Sequence, residues 1–171
     1  MKKLLIIGVA LISSLTVLGF WGFSKLGGNT PIEVTLVDQK PVNLAGITYR
    51  GIPGNEELGE IFKQMETQKG MHPGSNLHTI YEVEPAGKLD TMVVFVGINQ
   101  NLPLSGFEFR SFENEQFLLA KIKSSKWVMP SPEAVKEKLS EYAKENKLVL
   151  SGVYIDKIIS ENEVQVIAPI K

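Results

Sequence analysis

The sequence predicts an α+β domain in which two strand–strand–helix–strand–strand units form an antiparallel sheet with two helices on one side. Two observations support this fold class. First, 43% of the 171 residues are hydrophobic and 22% are charged, which is typical of a globular chain with one domain of ordinary size. Second, the same order of strand-like and helix-like segments occurs twice, with helices beginning near Asn55 and Pro132. An internal duplication is the simplest interpretation.

Eight segments have the composition or alternation typical of strands, four in each unit. They are residues 33–38, 42–49, 77–84 and 91–98 in the first unit, and 107–112, 116–122, 148–156 and 163–168 in the second.

Each unit has one amphipathic helix between its second and third strands. The first helix is predicted to begin at Asn55 and to stop at Gly70. The second has Ser131 as its N-cap and Pro132 at its first position, where a missing N–H removes no hydrogen bond. Apolar residues recur at helical spacing in both and are expected to pack on the sheet: Leu58, Ile61, Phe62 and Met65, then Val135, Leu139, Tyr142 and Ala143.

Residues 1–25 are predicted to form a transmembrane anchor or a signal segment. Residues 4–23 carry no charge, and a helix of that length spans a bilayer's hydrocarbon core, about 30 Å thick. A signal peptide ends in a small-x-small cleavage site, for which residues 22–24 are a poor match, so an uncleaved anchor is favoured. Lys2 and Lys3 place the N-terminus in the cytoplasm and the domain outside it. The alternative is a secreted or periplasmic protein after cleavage.

Residues 26–31 are a Gly-rich linker, and residues 32–171 form the folded domain. The chain has no Cys, which excludes disulfides, thiolate metal sites and a Cys nucleophile. A formal net charge of −1 lacks the basic footprint of a nucleic-acid binder. No phosphate loop, nucleophile elbow or His-Glu-x-x-His motif is present. We therefore expect no nucleic acid, metal or cofactor, and the motifs indicate no catalytic residue.

Asp156 is the first candidate binding residue. Strand alternation places Tyr154 and Asp156 on the same face as Leu148 and Leu150. If that face is buried, the carboxylate needs a partner such as a cation or a proton. The alternative, in which Asp156 is exposed at the strand end, is equally open.

Aromatic residues provide the other candidates. Trp127, Phe117 and Tyr81 are candidates to line a pocket suited to flat or cationic ligands, although aromatic residues more often belong to the core. His78 and Glu82 share one strand face and have the chemistry for metal binding or acid–base work. A solvated strand face is the favoured interpretation of that pair.

Residues 32–170 resemble the GyrI-like family, the small-molecule or effector-binding domain also found at the C-terminus of some bacterial transcription activators. The matching stretches are VTLVDQKPVNLAGITYRG (34–51), the strand pair HTIYEVE and TMVVFVGI, residues 117–158 and the closing VQVIAPI. No single motif is specific, and the ordered series carries the resemblance.

The resemblance implies a pseudo-twofold fold with a cleft between two similar halves, which takes lipophilic and often cationic or aromatic compounds. A Glu on the strand after the family's second helix faces that cleft, and Asp156 occupies the matching position. The chain departs from the family at Ile158, where a Tyr is usual, and at residues 124–127, where His-x-Gly is usual.

We therefore predict a membrane-tethered bacterial domain that senses or sequesters an apolar, aromatic or cationic amphiphilic small molecule. Asp156 and Tyr154 are its predicted polar anchors, with Trp127, Tyr81 and Phe117 as walls. One alternative is a family hydrolase that uses Asp156 as general acid or base. Others are a protein-interaction module of the gyrase-inhibitor kind, an envelope protein without an enclosed cleft, and a haem protein of the related SOUL fold with His78 as axial ligand.

Overall fold

An eight-stranded antiparallel sheet forms the centre of the computed structural model, which describes Thr16 and residues 18–26, 30–125 and 127–171. Helix α1 (Glu56–Met71) lies between the second and third strands, and helix α2 (Pro132–Glu145) between the sixth and seventh. The strands are β1 (Glu33–Val37), β2 (Leu44–Gly51), β3 (Leu77–Val83), β4 (Met92–Asn99), β5 (Glu108–Arg110), β6 (Phe117–Lys123), β7 (Ile155–Ser160) and β8 (Glu163–Pro169). This confirms the predicted α+β class and the order of elements.

The two halves of the sheet are joined by the pairing of β3 with β7. The strand order is β1-β6-β8-β7-β3-β4-β2-β5, so four strands lie on each side of that pairing. Leu77, His78 and Thr79 lie opposite Ile158, Lys157 and Asp156. The two units exchange their edge strands. Strand β1 of the first unit pairs with β6 of the second, and β5 of the second unit pairs with β2 of the first.

Polar caps fix where both helices begin, as the sequence predicts. The Asn55 side chain accepts a hydrogen bond from the Glu57 amide at 3.1 Å, and the Ser131 hydroxyl accepts one from the Ala134 amide at 3.3 Å. Helix α1 ends one residue later than predicted, at Met71 rather than Gly70.

Hydrophobic clusters lie on both faces of the sheet. On the helix-covered face, α2 packs on the alternate residues Leu118, Ala120 and Ile122 of β6. Helix α1 packs through Ile61 and Met65 on alternate residues of β4. The intervening residues point to the opposite face, where strands of both halves contribute to one cluster that contains Leu44, Ile80, Phe95, Phe117, Ile155 and Ile167.

The predicted strand over residues 148–156 is wrong. Leu150 only bridges to Ile170 beyond the end of β8, and the chain then turns at Gly152, whose φ of 90° is one that residues with a Cβ rarely adopt. Strand β7 begins after this turn, at Ile155, so Asp156 lies near the start of a strand rather than at the end of one.

Most of the predicted membrane anchor lies outside the described residues, which lack 1–15 and 17. Residues 18–25 are helical, and the carbonyl of Leu26 accepts a hydrogen bond from the Ser125 amide at 2.8 Å. Within the described segments, no helix is both long enough and apolar enough to cross a bilayer. The anchor and its orientation stay predictions.

Candidate functional site

A cavity of about 520 Å³ lies over the helix-covered face of the sheet, beside the pairing of β3 with β7. Its size is in the range of small-molecule sites. The lining comes from α1, the first turns of α2, the segment before α2, and strands of both halves. It consists of Phe62, Thr79, Tyr81, Glu84, Pro85, Ile122, Met129, Pro130, Pro132, Glu133, Val135, Lys136, Tyr154, Asp156, Ile158, Val164 and Val166. Most of these side chains are apolar or aromatic, so the few charged groups define the chemistry.

Asp156 is the carboxylate of this cavity that stands on the sheet itself. It lies opposite Thr79 on the neighbouring strand β3. Burial raises the pKa of Asp156 to about 6, although the nearby positive charge of Lys136 and the Thr79 side chain act in the opposite direction. The carboxylate is thus mostly ionised at neutral pH while it is held among apolar groups, where a cation is its natural partner.

Two aromatic rings stand near this carboxylate. Tyr81 and Tyr154 both line the cavity. Burial, together with the negative charges of Asp156 and Glu84, raises the pKa of the Tyr81 phenol, so this phenol stays neutral. The two rings give the cavity aromatic faces beside an acid, which is the combination that binds organic cations.

Lys136 is the cation of this cavity, whose lining also contains three acids: Glu84, Glu133 and Asp156. The Lys136 ammonium forms an ion pair with Glu84 and lies 5.2 Å from the centre of the Tyr154 ring. With all four groups ionised, the lining has an excess of negative charge.

The structure brings three of the five predicted binding residues together and separates two from them. Asp156, Tyr154 and Tyr81 line the cavity, and the Asp156 side chain is partly buried, between the two alternatives of a buried and an exposed carboxylate. Phe117 does not line it, because strand alternation points this side chain into the opposite cluster, where it is 9% exposed. Trp127 is 79% exposed and does not line the cavity. The first residue after it in the chain that lines the cavity is Met129.

His78 lies on the other face of the sheet from the cavity. The favoured interpretation of a solvated strand face is wrong for this residue, because His78 is fully buried, with Nδ1 2.9 Å from the Asn76 carbonyl oxygen. Burial lowers the pKa of His78 to about 4. Glu82 instead forms an ion pair with Arg110 at 2.7 Å. His78 does not border the cavity, so the structure does not support the alternative of a haem protein with His78 as axial ligand.

Sequence reasoning missed Lys136 and Glu84 as members of the site. Lys136 directly follows Val135, the first apolar residue of the α2 stripe, and Glu84 follows β3. Their pairing joins residues 52 positions apart. No local sequence pattern predicts such a contact. The position of Lys136 beside the apolar stripe of α2 was only a weak signal.

No protein-family profile and no curated protein matches the sequence. Solved structures do share the fold. A hydrolase from Listeria innocua is 7% identical, covers 81% of this chain and 92% of its own, and has a TM-score of 0.58. EcmrR in a complex with DNA is 12% identical, with 97% of this chain and 67% of its own covered and a TM-score of 0.57. The EcmrR C-terminal domain is 11% identical, with 82% and 98% covered and a TM-score of 0.54. At these identities the likeness shows a common fold.

Proposed function

We propose that this protein is a small-molecule-binding domain of the GyrI-like, effector-binding kind, and that its ligand is an aromatic or amphiphilic cation. The observation that carries the proposal is the partly buried carboxylate of Asp156 in a cavity of about 520 Å³ that is otherwise mainly apolar and aromatic. The fold shared with the EcmrR C-terminal domain supports it.

The energetics favour a ligand that combines a positive charge with apolar surface. A carboxylate held away from water is costly unless a cation faces it, and a hydrated inorganic ion gains nothing from the apolar walls. An organic cation brings a weakly hydrated charge to Asp156 and aromatic area to Tyr81 and Tyr154. The envelope-protein alternative expected no enclosed cleft, so the cavity argues against it.

Two ions of the same shape and opposite charge test this proposal. We expect tetraphenylphosphonium to bind residues 30–171 saturably in calorimetry, and tetraphenylborate to bind at least tenfold more weakly, because the lining has an excess of acids. Asp156→Asn should weaken binding of the phosphonium by about tenfold or more, since the negative charge that faces the cation is lost. Asp90→Asn is the matched control, because Asp90 is exposed and outside the lining. Equal binding of both ions, or no effect of Asp156→Asn, contradicts the proposal.

We also propose that residues 1–25 tether the domain to the cytoplasmic membrane with the cavity outside the cytoplasm. Support comes from the uncharged run of residues 4–23 and from the Lys2–Lys3 pair. Leu26, which directly follows that segment, accepts a hydrogen bond from Ser125, and Ser125 precedes Met129 of the cavity lining by four residues. An amphiphile concentrated at the membrane surface would then be close to its binding site.

The orientation can be read by thiol labelling, because the chain has no Cys of its own. Leu89→Cys introduces a thiol at an exposed position of the domain. A membrane-impermeant maleimide should label it in intact spheroplasts, with the protein in the membrane fraction. Labelling only after lysis places the domain in the cytoplasm, and recovery of a shortened chain in the soluble fraction shows that the segment is a cleaved signal.

Hydrolysis is the second candidate function, and the pKa of about 6 at Asp156 is the observation that favours it. A carboxylate with a pKa near neutrality is suited to act as general base on a water molecule. The test is release of p-nitrophenolate from p-nitrophenyl butyrate by the purified chain. Turnover that Asp156→Asn abolishes and Asp90→Asn preserves supports an enzyme. Saturable binding without turnover supports the binding domain.

A further inference from the structure

Lys136 holds a position in the cavity that a cationic ligand would also favour. Its ammonium pairs with Glu84 and lies 5.2 Å from the centre of the Tyr154 ring. Its positive charge also acts on Asp156, lowering the pKa of that carboxyl against the effect of burial. One side chain of the protein thus contacts two of the groups, an acid and an aromatic face, that recognise a ligand's cation.

We propose that Lys136 is a tethered cation that sets the charge selectivity of the cavity. This inference rests on the function proposed above. It adds that Lys136 limits the affinity of the cavity for cations. A ligand cation can reach Tyr154 and Glu84 only by displacing the Lys136 ammonium. An anion of the same shape would instead be attracted by Lys136, which is the one ammonium among the described residues of the lining.

The geometry allows this displacement without movement of the backbone. Lys136 lies in the second turn of α2, next to the buried Val135, which holds the helix on the sheet. Its side chain is 31% exposed, so the long flexible stem can swing the ammonium to solvent. The cost is the partly exposed ion pair with Glu84 and the contact with Tyr154, both of which are modest interactions.

The charge count indicates what kind of cation the cavity prefers. Lys136 forms its ion pair with Glu84, so Asp156 and Glu133 are the acids of the described lining outside that pair. Glu133, in the first turn of α2, is exposed, as Glu84 is, so Asp156 is the least exposed of the three acids. With Lys136 in place, the cavity therefore suits a cation with a single charge. Without Lys136, two neighbouring carboxylates would favour a dication.

Lys136→Met separates the charge of this residue from its length, because Met keeps an unbranched apolar side chain. We expect this variant to bind tetraphenylphosphonium about tenfold more tightly than the wild type and tetraphenylborate several-fold more weakly. Changes of opposite sign for two ions of the same shape cannot come from added hydrophobic contact. Lys138→Met is the matched control, since Lys138 is on the same helix, pairs with Glu141 and does not line the cavity. It should leave both affinities unchanged.

The outcomes separate this inference from the function on which it rests. If the wild type binds the phosphonium and Lys136→Met binds it equally or more weakly, the tethered-cation role is wrong and the binding function stands. If neither protein binds it, both proposals are wrong. If only Lys136→Met binds, Lys136 does set the charge selectivity, but the cationic ligand proposed for the wild type is wrong. Should Lys136→Met aggregate, Lys136→Gln provides the same charge removal with a polar end, and the same signs are expected.

Discussion

Thr79 and Asp156 lie opposite each other where β3 pairs with β7, and both residues line the cavity. This is the line along which the two half-sheets meet, so the candidate anchor is held by strands from both units. Lys136 and Thr79 lower the pKa of Asp156 but do not offset burial, which raises it. The protein thus keeps a carboxylate in a place where it costs stability.

Asp156→Asn should therefore stabilise the protein at neutral and alkaline pH. The pKa of Asp156 is raised from 3.8 to about 6 on folding, so its favourable contribution is complete below pH 3.8 and is lost as the pH rises through 6. A shift of this size corresponds to a gain on the order of 3 kcal/mol for the variant at pH 8. Urea unfolding from pH 4 to pH 8 measures it. A variant that is less stable than the wild type at pH 8 contradicts the role of burial.

His78 should give the opposite dependence on pH. Burial lowers its pKa from 6.5 to about 4, so its contribution to stability is complete above pH 6.5 and is lost as the pH falls toward 4. Relative to His78→Asn, which keeps a donor for the Asn76 carbonyl, the wild type should lose on the order of 3 kcal/mol between pH 6.5 and pH 4. Unfolding curves of the two proteins at each pH give this difference directly, and a constant difference would mean that His78 is not forced to stay neutral.

Binding of a cation should strengthen as the pH rises from 5 to 7.5. With a pKa of about 6, Asp156 is mainly protonated at pH 5 and ionised at pH 7.5, so the dissociation constant of tetraphenylphosphonium should fall about tenfold over this range. Calorimetry in matched buffers checks this, with Asp156→Asn as the control. That variant should show a flat profile, and a slope equal to that of the wild type would assign the proton to another group.

Two glycines should respond in opposite ways to replacement by Ala. At Gly46, a Cβ would collide with the carbonyl oxygen of Val96 and would lie 2.5 Å from the Cα of Gly97, so Gly46→Ala should cost several kcal/mol or prevent folding. Gly59, within α1, has nothing within 4 Å of an added Cβ. Gly59→Ala should therefore raise the free energy of unfolding by roughly 0.5–1 kcal/mol. Thermal unfolding distinguishes the two, and equal destabilisation by both would argue against the close strand contact at Gly46.

Local patterns were enough to predict both helix starts and the grouping of Tyr154 with Asp156 on one face. Caps such as Asn55 and Ser131 act within three residues, and alternation placed Tyr154 and Asp156 on the same side as Leu150 even though the strand itself begins only at Ile155. The turn at Gly152 was missed because the apolar residues around it continue the strand pattern.

Contacts distant in sequence account for the rest of the site. Strand alternation separates two faces of the sheet but does not say which face holds the cavity. Phe117 was predicted to line the pocket, and its side chain lies in the cluster on the opposite face. The ion pair between Lys136 and Glu84 depends on how α2 lies over β3, which no local spacing encodes. The placement of the aromatic residues and of the counter-charge thus required the tertiary structure.

The exchange of edge strands has a consequence for how the polypeptide can be divided. Residues 30–104 contain β1 but not its partner β6, and residues 105–171 contain β5 but not its partner β2. Neither fragment can complete its own half-sheet, yet each carries the strand that the other needs. Split in the loop after β4, the protein is a natural candidate for fragment complementation, in which the cavity is rebuilt only when the two pieces associate.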